Sequence, residues 1–188
     1  NSLLTLDGYR YDKSHLVPFG EFIPWGFNWF VSWMQMPLGN FSRGTSAQAP
    51  LQINGTAFLP NICYEDLFGE EIARNLRAHR ANVLLNATNI AWFGNTRALD
   101  QHLQIARLRS LETQLPTLRA TNTGTTAWID DRGQVRAALP PFQAGSLAVK
   151  IQGYQGLTPF VRFGNLPLLV FATGFLLLVA LLRTRQTG

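Results

Sequence analysis

The chain has 188 residues, enough for one domain with a core of its own. Its single cysteine excludes an internal disulfide framework. A net charge of +5, carried by scattered arginines without a basic run or zinc-ligand spacing, gives no nucleic-acid signature and is equally explained by a membrane surface. No metal site and no cofactor is expected. The first residue is Asn1 rather than Met, which suggests part of a longer or processed protein.

Ser2–Leu6 reads as a short strand, Asp7-Gly8 as a hairpin turn, and Tyr9–Leu16 as the return strand, with Lys13 and His15 on one face. Phe22–Leu38 carries no charge, and Trp25, Trp29 and Trp33 recur every four residues, so a helix would align three indoles. That segment fits either a core helix or an arm at a membrane interface, where Trp is favoured. The apolar C-terminus, described below, favours the interface. Leu51–Ile53 and Ala57–Ile62 flank Asn54-Gly55, a hairpin signal that feeds Cys63. Asp66–His79 is expected to be helical, with Glu70 and Glu71 early and Arg74 and Arg77 late. Val83–Leu85 reads as a buried strand, and residues 86–94 as a loop ending in Ala91-Trp92-Phe93-Gly94. Leu99–Gln114 reads as a helix with Leu99, Leu103, Ala106, Leu111 and Leu115 near one face, stopped by Pro116. Strands are expected at Leu118–Thr121, Thr125–Ile129 and Gly145–Ile151. Such a mixture indicates a layered α/β domain.

Leu166–Leu182 is an uncharged run of 17 residues. As a helix it would cover roughly 25 Å, near the short limit for a bilayer crossing. No polar face exists around it, which argues against a soluble core helix. Arg183 and Arg185 follow it at once, so the positive-inside rule places the tail in the cytoplasm and the globular part outside.

Cys63 lies in Asn61-Ile62-Cys63-Tyr64-Glu65, between an apolar stretch and a polar helical one. A strand–Cys–helix turn lifts a side chain out of the packing, and a thiol is the most nucleophilic ordinary side chain near neutral pH. A lone Cys is nevertheless most often a small core hydrophobe. A reactive thiol needs its thiolate stabilised or its proton removed. Glu65 and Asp66 oppose a thiolate; a cation would offset them. The chain has two lysines, Lys13 and Lys150. An ammonium from Lys13 could counter the thiolate and then hold the oxyanion of a tetrahedral intermediate, although a solvated surface lysine is the ordinary role.

Four segments, taken in order and spacing, change that balance: Tyr11-Asp12-Lys13-Ser14-His15-Leu16-Val17-Pro18-Phe19-Gly20-Glu21-Phe22-Ile23-Pro24, Asn61-Ile62-Cys63-Tyr64-Glu65, Asn89-Ile90-Ala91-Trp92-Phe93-Gly94 and Gln101–Arg107. Together they resemble apolipoprotein N-acyltransferase, a membrane branch of the nitrilase (carbon-nitrogen hydrolase) superfamily. The resemblance implies an α-β-β-α sandwich carrying a Glu–Lys–Cys triad on the outer face of the bacterial inner membrane. Cys63 matches the nucleophile and Lys13 the triad lysine; Glu21, Tyr64 and Glu65 match further residues around the site. Trp25, Trp29, Trp33, Trp92 and Phe93 are expected to face substrate or membrane. The implied reaction moves an acyl chain from a phospholipid, usually phosphatidylethanolamine, to the Cys63 thiol and then to the N-terminal amine of a diacylglyceryl-cysteine lipoprotein.

The expected organisation is therefore the C-terminal part of a nitrilase-like domain over 1–160 with an aromatic arm at 22–38, a membrane helix over 164–183, and a short cytoplasmic tail over 184–188. In the family the triad glutamate precedes the lysine on an earlier segment, so this chain is expected to lack it, and Glu21 and Glu65 are not its equivalents. The loop that usually reads Asn-Asp before Ala-Trp-Phe has Ile90 in place of the acid. Three other readings stand beside this one. They are a nitrilase-like amidase of small amides, a Cys–His hydrolase using His15 or His102, and a membrane-anchored fragment inactive for want of its base.

Overall fold

A computed structural model describes residues 1–27, 29 and 41–186. Two strands, β1 (Ser2–Leu4) and β2 (Arg10–Asp12), form a separate antiparallel hairpin. The main sheet has six strands in sequence order: β3 (Leu51–Ile53), β4 (Thr56–Ile62), β5 (Val83–Thr88), β6 (Thr117–Thr121), β7 (Ala127–Ile129) and β8 (Val135–Ala138). β4, β5 and β6 are parallel; β3, β7 and β8 join antiparallel at the edges. The β3–β4 hairpin turns on Asn54 and Gly55, both at positive φ, the conformation an Asn-Gly turn favours.

A short 3-10 turn (Cys63–Leu67) and helix α1 (Gly69–Ala78) connect β4 to β5; helix α2 (Ala98–Thr113) connects β5 to β6. Parallel strands need such crossovers. In α1, Ile72, Ala73 and Leu76 fall on one stripe and pack with Ala57, Leu59, Leu84, Leu115 and Val161. α2 sets Ala106 and Leu103 against Ala127 and Ile129 of β7. The residues paired across the sheet, Leu59, Leu84, Thr117 and Ile129, all face the two helices. The opposite face is apolar and mostly half-buried along Pro60, Leu85, Leu118 and Trp128. A helix-covered sheet with an apolar second face is what one half of an α-β-β-α sandwich requires.

Short helix α3 (Pro159–Phe163) has Thr158 as its N-cap: the Thr158 hydroxyl accepts from the Val161 amide at 3.1 Å and donates to the Glu112 carbonyl at 2.6 Å. Gly164, at φ 59°, ends it. Helix α4 (Leu166–Gln186) follows, 21 residues of which the apolar window Leu166–Arg183 has no buried residue. About 31 Å of helix matches the hydrocarbon thickness of a bilayer, so α4 is long and apolar enough to cross one.

Several expectations need correction. The strand expected over Tyr9–Leu16 stops at Asp12, so Lys13 and His15 do not share a strand face. The helix expected from Asp66 starts at Gly69, after the 3-10 turn. Val83–Leu85 extends to Thr88, and β8 was not foreseen. Gly145–Ile151 forms no strand: Leu147, Val149 and Ile151 alternate as the pattern requires, but among the described residues no strand pairs with them. Leu111 is 54% exposed, because the inward face of α2 carries His102, Arg109, Ser110 and Thr113 instead. Trp25 lies in a turn closed by Gly26 at φ 88°, not on a helical stripe with Trp29. Trp33 and most of the 22–38 segment lie outside the described residues.

Candidate active site

Cys63 is the pivot between β4 and the 3-10 turn. Ile62 is extended (φ −116°, ψ 113°), and Cys63 itself sits at φ 53°, where a side chain is crowded against its own backbone. Strain of about 1–3 kcal/mol of this kind persists only when neighbours hold it. Its thiol donates to the Asn89 carbonyl, with Sγ 3.4 Å from the oxygen. Burial pushes the thiol pKa up; the Lys13 ammonium and the Tyr64 backbone N–H, which points at the sulfur, pull it back down. The charge of Lys13 is thus felt at the sulfur.

Lys13 is 1% exposed and pairs with Glu21 at 2.8 Å. A buried ammonium requires such a partner. The second oxygen of Glu21 accepts the Val17 amide at 2.9 Å, and the side chain of Asn1 donates to the first. The Lys13 carbonyl accepts the Gly44 amide at 2.9 Å. Any side chain at Gly44 would meet the Asp12 carbonyl at 2.2 Å, so glycine is required there.

Glu65 joins these two halves. One carboxylate oxygen accepts the Ser14 amide (2.7 Å), the Ser14 hydroxyl (2.8 Å) and the His15 amide (3.2 Å). The other accepts the Tyr11 hydroxyl (2.9 Å) and the Ile62 amide (2.7 Å). A single side chain thus fixes the loop that carries Lys13 to the residue before Cys63. Burial and the Glu65 charge raise the Tyr11 phenol, which stays a donor. Tyr64 sits outside this clamp, edge-on to Phe68 and His15.

Neither His15 nor His102 is hydrogen-bonded to the thiol. His15 stacks on Phe68 at 3.6 Å, and its Nδ1 lies 2.9 Å from Glu71. His102 is buried 3.9 Å from Asp66, its pKa lowered to about 4 by burial and by Arg119. Among the described residues no group of His, Cys, Asp and Glu could hold a metal ion. A cavity of about 430 Å³ opens between α1, α2 and α3, lined by Phe68, Glu70, Arg74, Arg109 and Glu112, but Cys63 does not line it.

The carbon-nitrogen hydrolase family model matches residues 2–159. The chain belongs to that family. It is 61% identical over 182 residues to an apolipoprotein N-acyltransferase of Ralstonia nicotianae, covering 96% of this chain and 35% of that protein. It is 52% identical to one of Bordetella bronchiseptica, covering 94% and 33%. The chain thus spans about a third of the length of these relatives. Two solved structures share the fold. They are a carbon-nitrogen hydrolase from Helicobacter pylori G27 (TM-score 0.51, 16% identity, 70% of this chain and 48% of that one) and the C. elegans NitFhit protein (TM-score 0.52, 21% identity, 71% and 32%).

In this member of the family, the support beneath the elbow is polar, and sequence reasoning missed it. Asn61, Asn86 and Arg119 pair across β4, β5 and β6. Asn86 donates to Asn61 at 2.5 Å and accepts from Arg119 at 2.9 Å and Thr88 at 2.6 Å; Arg119 also reaches Asp66 at 3.3 Å. The available signal was asparagine and arginine inside strands that should be continuously apolar. Asp66 is 1% exposed, and burial pushes its carboxyl up to about 7 against the pull of Arg119 and Arg109. Around the edge, Trp92 (84% exposed) and Phe93 (55%) project beside Asn89, and Trp25 is 98% exposed. Ile90 is a buried plug whose Cγ2 leaves no room for a side chain at Gly124. It takes no polar part in the site.

Proposed function

We propose that this chain carries the nucleophile and cation of an N-acyltransferase of lipoprotein maturation, acting by way of a Cys63 thioester. The observation that carries the reading is the Glu65 clamp. It brings a buried, ion-paired Lys13 and a strained Cys63 to one edge, in a chain matched by apolipoprotein N-acyltransferases. Thiolate attack on a phospholipid ester carbonyl gives an oxyanion held by Lys13 Nζ and the Tyr64 N–H. Collapse expels the lysophospholipid alcohol with a proton and leaves the thioester. The amine of a diacylglyceryl-cysteine lipoprotein then attacks, the C–S bond breaks, and an amide is released.

The first proton needs a base. Glu21 is bound to Lys13, and both oxygens of Glu65 are occupied by donors. We assign the base to a carboxylate elsewhere in the longer protein, so this chain alone is inactive. Phosphatidylethanolamine is the proposed donor. Helix α4 would anchor the domain in the bacterial inner membrane with the site on the periplasmic side, and Trp25, Trp29, Trp92 and Phe93 would meet lipid. A small-amide hydrolase would gain nothing from these exposed aromatics or from α4.

The test is to incubate the full-length enzyme with labelled phospholipid and map the acyl group. Label is expected on the Cys63 peptide; label on a serine or histidine sinks the proposal. Lys13→Ala should abolish thioester formation while His15→Ala only weakens it, and the reverse order would favour a Cys–His mechanism. Replacing Trp25 and Trp29 together by Ser should lower turnover on bilayer substrate more than thiol labelling of Cys63. Equal losses would remove the membrane role of the arm.

A further inference from the structure

Among the described residues, the Asn89 carbonyl accepts the hydrogen bond of the Cys63 thiol. Lys13 and the Tyr64 amide are donors, suited to a developing oxyanion. An acceptor beside the sulfur suits something else. Once Cys63 is acylated the sulfur carries no hydrogen, and the Asn89 oxygen loses its donor. It is then an acceptor beside the carbon that the second substrate must attack. The ester oxygen of an acyl donor has no hydrogen to offer; an attacking amine does.

That carbonyl is held in place from one side. It shares a planar trans peptide unit with the Ile90 N–H, which points the opposite way and donates to Asn122 Oδ1 at 3.1 Å. Asn122 Oδ1 also accepts the Thr123 amide at 2.8 Å, and Asn122 Nδ2 donates to the Asn89 side chain at 2.7 Å. That same Asn89 oxygen accepts the Ala91 amide at 3.2 Å. The buried Ile90 side chain, wedged against Gly124, pins the other end of the peptide. Rotating this peptide would break the Asn122 contact before it moved the carbonyl off the sulfur.

We propose that the Asn89 carbonyl is the subsite that orients the amine of the second substrate, and that Asn122 is its positioning residue. This rests on the thioester reading above. In the step concerned, the amine nitrogen bonds to the thioester carbon while one of its N–H groups donates to Asn89 O. The C–S bond breaks, the sulfur leaves as thiolate and takes up the proton lost by nitrogen. The regenerated thiol donates to Asn89 O again, as in the resting state. Atoms and charge balance without a further reactant.

The two half-reactions separate the idea from a merely structural role. In the full-length enzyme, the Cys63 thioester is formed with labelled phospholipid and then chased with a diacylglyceryl-cysteine peptide over a range of concentrations. Asn122→Ala should leave thioester formation within about 3-fold of the parent and slow the chase roughly 10- to 100-fold, the scale at which misplacement of a reacting group is felt. The loss should lie in the limiting chase rate more than in the peptide concentration needed for half of it. Asn122→Asp retains the acceptor for the Ile90 N–H but sets a second acceptor against the Asn89 side-chain oxygen in place of the donor, so it should fall between the two. Parallel loss of both half-reactions in both variants, or a chase at the parent rate, overturns the proposal. Failure of the parent enzyme to form a thioester at Cys63 is a different result: it overturns the function reading and removes this subsite with it.

Discussion

Within two residues the central strands change character. At one level Leu59, Leu84, Thr117 and Ile129 pair across the sheet and close on the helices, apolar but for one threonine satisfied by Ser110. At the next level toward Cys63 stand Asn61, Asn86, Arg119 and Ala127, with Asp66 and His102 above them. The first level gains from removing apolar surface from water and is insensitive to direction. The second is held by hydrogen bonds whose direction matters, and it lies directly under a backbone held at positive φ. Buried apolar contacts keep the sheet together; buried polar contacts set the angle at which Cys63 leaves it.

Three experiments test that contrast. Arg119→Met should be the most costly, because it removes the guanidinium that bonds both Asp66 and Asn86; the loss should be about 3–5 kcal/mol in urea unfolding at about pH 8, where the Asp66 carboxyl is ionised, with slower alkylation of Cys63. A loss near zero would mean that the polar level contributes no more than an apolar filler. Leu84→Ala should cost about 2–4 kcal/mol through the cavity it leaves, with the alkylation rate of the folded protein unchanged. If both substitutions altered thiol reactivity alike, the two levels would not be distinct.

The smallest effect is a pair of opposed pH slopes. His102, held at about 4 by burial and Arg119, is protonated in the unfolded chain near its ordinary 6.5 but not in the fold. Its contribution is therefore lost as pH falls from 6.5 toward 4. Asp66, raised by burial to about 7, keeps in the fold a proton that the unfolded chain releases near 3.8. Its contribution is lost as pH rises from 3.8 toward 7. The parent should thus be nearly flat across this window. His102→Gln should lose stability with rising pH, and Asp66→Asn with falling pH. A parent with a steep slope, unaltered by either change, would disconnect these groups from folding.

What could be read in the sequence was local chemistry. Asn54-Gly55 specifies its own turn, Pro116 ends a helix wherever it lies, and the Lys13 and Cys63 segments carry their residue types in order. What could not be read depends on partners distant in the chain. The alternation of Gly145–Ile151 is a strand pattern, but a strand exists only against a neighbour. Leu111 looked like core because its spacing matched Ala106 and Leu115, yet α2 turns its polar side inward to meet Asp66 and Thr117. The Cys63 segment offers Glu65 as a site residue, but its role as a clamp between two segments appears only in three dimensions.

The junction of α3 and α4 has a consequence for how substrate is reached. Val161 is 1% exposed in the core, Gly164 follows three residues later, and the Asn165 amide is bonded to Glu70 on α1 at 2.9 Å before α4 begins at Leu166. Nothing in that join is long enough to act as a tether. With α4 seated in a bilayer, the thiol would be confined to one depth, unable to swing toward the membrane or away from it. Under the proposed function, lipids would then have to arrive by lateral diffusion in the plane, and the point at which α4 starts would set which part of an acyl donor lies level with Cys63.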